Sequence, residues 1–128
     1  MLSNYWKKEV IEATFGIASL PAQTSIYIRL YTDSVDADGV GTEVAVGSYT
    51  ALLTAPADWT FTAPNLSQNV NPLDFIQATA GWGTIVSSAL YDSTNTNMIL
   101  FDDLQTPQAV NSGNVARFQI NELRYTWT

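Results

Sequence analysis

Cysteine and histidine are both absent from this 128-residue chain. Without Cys there are no disulfides and no thiolate metal sites. Without His the commonest general base and the commonest transition-metal ligand are missing. Ser–His–Asp, Cys–His and HExxH chemistry are therefore excluded. Charge is scarce as well: 13% of residues are charged, against a usual share of about 25%. Twelve acidic side chains face five basic ones, for a net charge of −7. That balance opposes general nucleic-acid binding, which needs Lys and Arg to displace phosphate counterions. It opposes adsorption to an anionic membrane for the same reason. No stretch approaches the roughly 18 apolar residues of a membrane span. The start, Met1-Leu2-Ser3-Asn4-Tyr5-Trp6-Lys7-Lys8, has no apolar run behind a basic opening and does not read as a secretory signal. Lack of Cys fits a reducing compartment.

What the chain does have is apolar and aromatic: 46% hydrophobic and 12% aromatic residues. Its polar surface must then be built from Thr, Ser, Asn and Gln. Such surfaces suit chains packed against copies of themselves, so a homo-oligomer is expected. The length suits one domain, 1–128, able to hide roughly two thirds of its unfolded surface.

One helix is expected, over about residues 3–15. Ser3 or Asn4 can cap it, Leu2, Trp6, Val10 and Ala13 form one apolar stripe, and Gly16 stops it. The period then changes to two. In Ser25–Thr32, Ile26, Ile28 and Leu30 share one face and Tyr27, Arg29 and Tyr31 the other. Asp33–Gly41 reads as an acidic loop with little to bury, and Glu43–Thr54 as one or two short strands around Gly47. Trp59–Thr62 alternates. Pro64–Pro72 reads as a polar loop and Leu73–Thr79 as a strand, with a tight bend at Ala80–Gly83. Thr84–Tyr91 is β-rich, Asp92–Thr96 a turn, and Met98–Phe101 a strand buried on both faces. Asn111–Asn114 is a turn, whose Gly113 suits a hairpin. Val115–Ile120 and Leu123–Trp127 alternate. Seven to nine short strands and no alternating helices predict a mainly β fold: an antiparallel, jelly-roll-like β-sandwich with one N-terminal α-helix.

Three constellations bear on chemistry. Asp33-x-x-Asp36-x-Asp38-Gly39 with Glu43 offers oxygen ligands on a glycine-bearing loop, which Ca²⁺ needs. A solvated acidic loop is the simpler reading. Asp102-Asp103 pairs two carboxylates of the kind that hydrolyse glycosides. Neighbours on a strand point to opposite faces, so a strand end reaching water is the simpler reading. Trp59, Trp82, Trp127, Tyr27, Tyr31 and Tyr125 could stack on sugars, but on strands half must face inward, as core or subunit contacts. No phosphate-binding glycine motif is present. No catalytic, cofactor-binding or metal residue is assigned, and no cofactor is expected.

Several stretches resemble, in order along nearly the whole chain, a family of small phage virion proteins known as tail fibre proteins, some of them described as capsid decoration proteins. A helix ends in Phe15-Gly16. Ile26–Thr32 resembles the family's "LYVALYT" strand, Gly41–Val44 its "GTEV" segment, and Gly47-Ser48-Tyr49 its "GGGYAR" run, though Thr50-Ala51 replace Ala-Arg and one glycine is missing. Ala78–Ile85 resembles "ATAxWGTV", Ala89–Asp92 "ALYD", Asn97–Phe101 "GNLLFWG" and Thr106–Gly113 "TTPKTVNAGD". The resemblance implies a non-enzymatic bacteriophage structural protein, made in the host cytoplasm and carried in the virion. Its role would be capsid decoration or cement, or a tail-fibre component. Its partners would be copies of itself, as a homotrimer, and the major capsid protein or other virion proteins, with no nucleic acid and no membrane. The helix Ser3–Ala13, with Trp6 exposed or half-exposed, is the preferred anchor to a neighbour; a helix covering its own sheet is the alternative. A carbohydrate-binding β-sandwich using Trp82 for host attachment is the competing function.

Overall fold

The structure, a computed structural model, describes residues 1–128. Helix α1 (Asn4–Thr14) opens it. Ser3 Oγ accepts from the Trp6 amide at 3.0 Å and satisfies one of the free N–H groups of the first turn. Lys8 reaches Glu12, one turn on, at 2.7 Å. Gly16, at φ +71°, ends the helix in a conformation that other residues resist.

Nine strands follow: β1 (Ile26–Tyr31), β2 (Leu52–Thr54), β3 (Trp59–Thr62), β4 (Leu66–Asn69), β5 (Leu73–Asp74), β6 (Gly83–Tyr91), β7 (Met98–Val110), β8 (Arg117–Phe118) and β9 (Arg124–Thr126). They build three antiparallel sheets, ordered β2-β1-β6-β7, β3-β4-β9 and β5-β8. The fold is thus mainly β with one helix, in a sandwich-like arrangement. Tyr125 of β9 is fully buried, and its hydroxyl lies 2.6 Å from Ser88 Oγ of β6. That contact sets the three-stranded sheet over one face of the four-stranded one.

The alternation read in β1 sorts the two faces of the larger sheet. Ile28 and Leu30 join Leu90, Leu100, Tyr125 and Phe118 in the main core. Tyr31 joins Ala89, Tyr91, Met98 and Phe101 in a second cluster on the opposite face. Burial on both faces gives β7 its continuous apolar start, Met98–Phe101. Strict alternation would separate Met98 from Phe101. A bulge makes them neighbours: Leu90 opposes Leu100 while the next residue, Tyr91, opposes Met98, leaving Ile99 over.

The expected polar loop Pro64–Pro72 holds a central strand instead, since β4 pairs with β3 on one side and β9 on the other. Its polar side chains hid it from a hydrophobic pattern. Asn69 is fully buried. Its Nδ2 donates to the carbonyls of Asn71 at 2.9 Å and Gln119 at 2.8 Å, and its Oδ1 accepts from the Leu123 amide at 3.0 Å. One side chain thus replaces a stretch of ladder. The strand expected over Leu73–Thr79 shrinks to β5. The Gly113 turn is not a β-hairpin, because β8 pairs with β5 and not with β7. Gly113 and Ser112 instead hold the Ala78–Thr79 segment, the Gly113 amide donating to Ala78 O at 2.7 Å.

Candidate functional site

The residues singled out from the sequence fall into a buried set, a committed set and an open set. Trp82 belongs to the buried set, at 3% exposure. Its Nε1 donates to Gly47 O at 2.8 Å, and its ring meets Tyr49 edge-on at 5.3 Å and Phe75 at 6.3 Å. The two segments Gly47-Ser48-Tyr49 and Ala78–Ile85 therefore close on each other in the interior. Trp82 is not available to stack on a sugar. Tyr31 is buried too, its hydroxyl 3.0 Å from that of Tyr91. Burial pushes the phenols of Tyr31, Tyr49 and Tyr125 well above their ordinary value. Trp6, expected at the surface as an anchor, is 5% exposed and belongs to the main core. The helix covers its own sheet, with Leu2 bridging to Leu100 of β7.

The acidic loop is committed. Asp33 accepts from the Thr42 amide at 2.7 Å and its hydroxyl at 2.8 Å, which holds its carboxyl below the usual range. Asp36 accepts from the amides of Asp38 and Val40, both at 2.9 Å, and Asp38 from Asn4 Nδ2 at 2.8 Å. Glu43 turns away to Tyr49, whose hydroxyl donates at 2.9 Å, and to Arg29 at 3.8 Å. No three carboxylates of the chain are grouped to hold a metal ion. The loop does have something to bury: Val35 is in the second cluster with Ala37 packed beside it. Its amide donates to Ser87 Oγ at 3.2 Å, and Ser87 Oγ donates to Asp33 O at 2.5 Å. The loop is the cover of the larger sheet's outer face.

Asp102 and Asp103 lie within β7, which runs on to Val110 and does not end at the pair. Both border one open hollow of about 390 Å³, shared with Gln105, Arg124 and Thr126. Their register with Ser88 and Ser87 is regular, and the strand distorts only beyond them. β7 advances from Asp103 to Gln108 while β6 advances only from Ser87 to Ile85. That bulge also accommodates Pro107, which has no N–H for a ladder. The Asp102 carboxylate lies 3.6 Å from the Met1 amine.

The open set is aromatic. Trp59 and Tyr125 approach to 6.1 Å between ring centres. With Trp6, Ile26, Leu100 and Trp127 among its walls, a cleft of about 210 Å³ includes Trp59 as well. A second hollow of about 370 Å³ adjoins it through Trp127 and is bordered by Phe61, Pro64, Asn65 and Leu66. No charged residue lines either one. Trp59 Nε1 donates to Thr54 Oγ1 at 2.8 Å and Trp127 Nε1 to Ser67 Oγ at 2.6 Å. Both of these indoles are thus fixed by the chain itself; the third indole of the cleft, Trp6, has a buried N–H without a partner. Phe61, 74% exposed, was not legible as a surface group. Its strand alternates like any half-buried strand, and only the sheet order places it on an edge.

A family model covers residues 1–126: the podophage GP4 fiber I protein gp80. The chain belongs to this family of phage fibre proteins. Membership agrees with the tail-fibre side of the resemblance and makes the chain a virion component with a structural role in the fibre. No curated protein matches the chain. No helix is long and apolar enough to cross a membrane.

Proposed function

We propose that the chain is a non-enzymatic subunit of the tail fibre, acting by contact with other virion chains as a homo-oligomer, read as a trimer. The observation that carries this is the family match from residue 1 to 126. The surface agrees with it. The nominated carboxylates are tied to partners within the chain or open to water, and two of the exposed apolar groups, Phe61 and Trp127, border a hollow with no charged lining residue. Contacts of this kind each contribute about 25 cal/mol per Å² of apolar area, less the costs of association. Repeated by symmetry they hold a fibre together. Gold-labelled antibody against the chain should decorate the fibres of intact particles; label spread over the capsid would favour decoration and defeat the fibre reading. Turnover of a polysaccharide by the purified chain, abolished by Asp102→Asn or Asp103→Asn, would defeat the non-enzymatic one.

A further inference from the structure

We propose that the uncharged surface running from the Trp127 cleft to the outer edge of β3 is where a second copy of this chain docks. The inference rests on the reading of the chain as an oligomeric fibre subunit and gives that contact a location. β3 is the edge of its sheet and pairs only with β4. A free edge presents backbone N–H and C=O groups to any passing strand, and folds blunt it with charge, proline or a bulge. Trp59-Thr60-Phe61-Thr62 carries none of these, and its register with β4 is unbroken. Phe61 stands on that edge, 74% exposed, and Trp127, 41% exposed, follows β9 on the far side of β4 and borders the same hollow.

Charge selects the occupant. Two copies each carrying −7 repel across most of their surfaces. The two hollows joined at Trp127 have no charged lining residue, so identical acidic chains can meet there without setting carboxylate against carboxylate. A basic partner would find no carboxylate to pair with on this face. A sugar would need several convergent polar groups; the Trp59 and Trp127 N–H groups are already engaged with Thr54 and Ser67, which leaves the buried Trp6 N–H as a lone unpartnered indole donor. An antiparallel strand from the second copy along β3 would extend the β3-β4-β9 sheet and bury Phe61 and Trp127 together.

The test is self-association of the full chain, followed by light scattering on a sizing column and by sedimentation over a concentration series. Phe61→Lys should weaken association about tenfold or more, a loss on the scale of one buried aromatic side chain, with an unchanged melting curve at concentrations where the parent is monomeric, because the side chain is exposed in the free chain. Phe15→Lys, at a side chain equally exposed but outside both hollows, should leave association as it was. The proposal is overturned if the parent chain stays monomeric at millimolar concentration, if Phe61→Lys associates like the parent, or if Phe15→Lys is equally disruptive. Gold labelling reads the fibre assignment separately. Loss of self-association in Phe61→Lys with label absent from fibres would sink that assignment and not this contact.

Discussion

Asn69→Leu tests the claim that a polar side chain holds β4 in place. The substitution keeps the number of side-chain heavy atoms and their branch point and removes three hydrogen bonds. It strands the amide of Leu123 and the carbonyl of Asn71, at a position with no exposed surface; the Gln119 carbonyl keeps its bond from the Glu122 amide at 3.0 Å. A buried polar group left without a partner costs about 1–3 kcal/mol. The Leu123 amide is fully enclosed and takes the upper end; the Asn71 carbonyl is partly enclosed and takes about 1 kcal/mol. The total is about 3–4 kcal/mol, a large part of the roughly 5–15 kcal/mol that holds a domain folded. For a chain of this size that lowers the melting temperature by about 10–20 °C. Asn69→Asp should be worse near neutral pH, because its carboxylate keeps the bond from Leu123 but points at two carbonyl oxygens. That variant should regain stability as the pH falls and the carboxyl protonates. Circular-dichroism melts at matched protein concentration decide the matter. An Asn69→Leu protein melting within about 3 °C of the parent, or an Asn69→Asp protein that melts above Asn69→Leu at pH 7, would refute the reasoning.

Gly47→Ala should lower the melting point by about 10 °C or more, because a Cβ there would sit 2.5 Å from Ala80 N and 2.7 Å from Ala80 O at φ +57°; a shift under about 3 °C would show that the 47–49 and 78–85 segments are not locked together. The phenols of Tyr31, Tyr49 and Tyr125 are raised above the unfolded value of about 10. Their contribution to stability is complete below pH 10 and is lost as the pH climbs beyond it, so absorbance at 295 nm should register them only as the fold opens. Smooth ionisation of all six tyrosines with an intact β spectrum would contradict this. At Asp92, burial pushes the carboxyl up, but hydrogen bonds from Thr96, Thr94 and Asn97 prevail and hold it below the usual range. Its contribution is present above the ordinary carboxylate pKa of about 3.9 and lost as the pH falls through it; Asp92→Asn should flatten the acid limb of the stability profile, and an unchanged limb would refute the assignment.

How much of this was legible in the sequence depended on whether a residue's role shows in its own polarity. Helix α1 could be read from Ser3, the stripe through Trp6 and Gly16, and β1 from its alternation, because each buries an apolar face on a regular period. The antiparallel β class followed from the number and brevity of such segments. β4 was hidden because a central strand held by Asn69 looks polar. The side on which Trp6 lies was equally hidden: a tryptophan on an apolar stripe packs against its own sheet or a neighbour's with the same period. The acidic loop concealed Val35, one buried residue among carboxylates, and the continuation of β7 past Asp102 and Asp103 depended on a bulge that nothing before Pro107 announces. The aromatic face required the sheet order, since exposure of Phe61 follows from β3 being outermost.

The family match spans the whole fold, β3, β4 and β9 included, while the short stretches that resemble the family's motifs are a narrower set. They run through β1, the acidic loop, the Gly47 and Trp82 locks, β6, and β7 as far as the Gly113 turn, and their work is interior: Gly47 O holds Trp82, and Gly113 holds Ala78. None of the quoted motifs falls in β3, β4 or β9, the sheet that bears Phe61 and Trp127. The larger sheet is covered on both faces by core, helix and loop, and both sheets keep an uncharged outer strand, β2 and β3. A subunit built in this way holds its interior fixed while an outer strand meets a neighbour. Fibre assembly asks for that division: many modest and identical contacts, each supported by a subunit too well locked to yield when the contact forms.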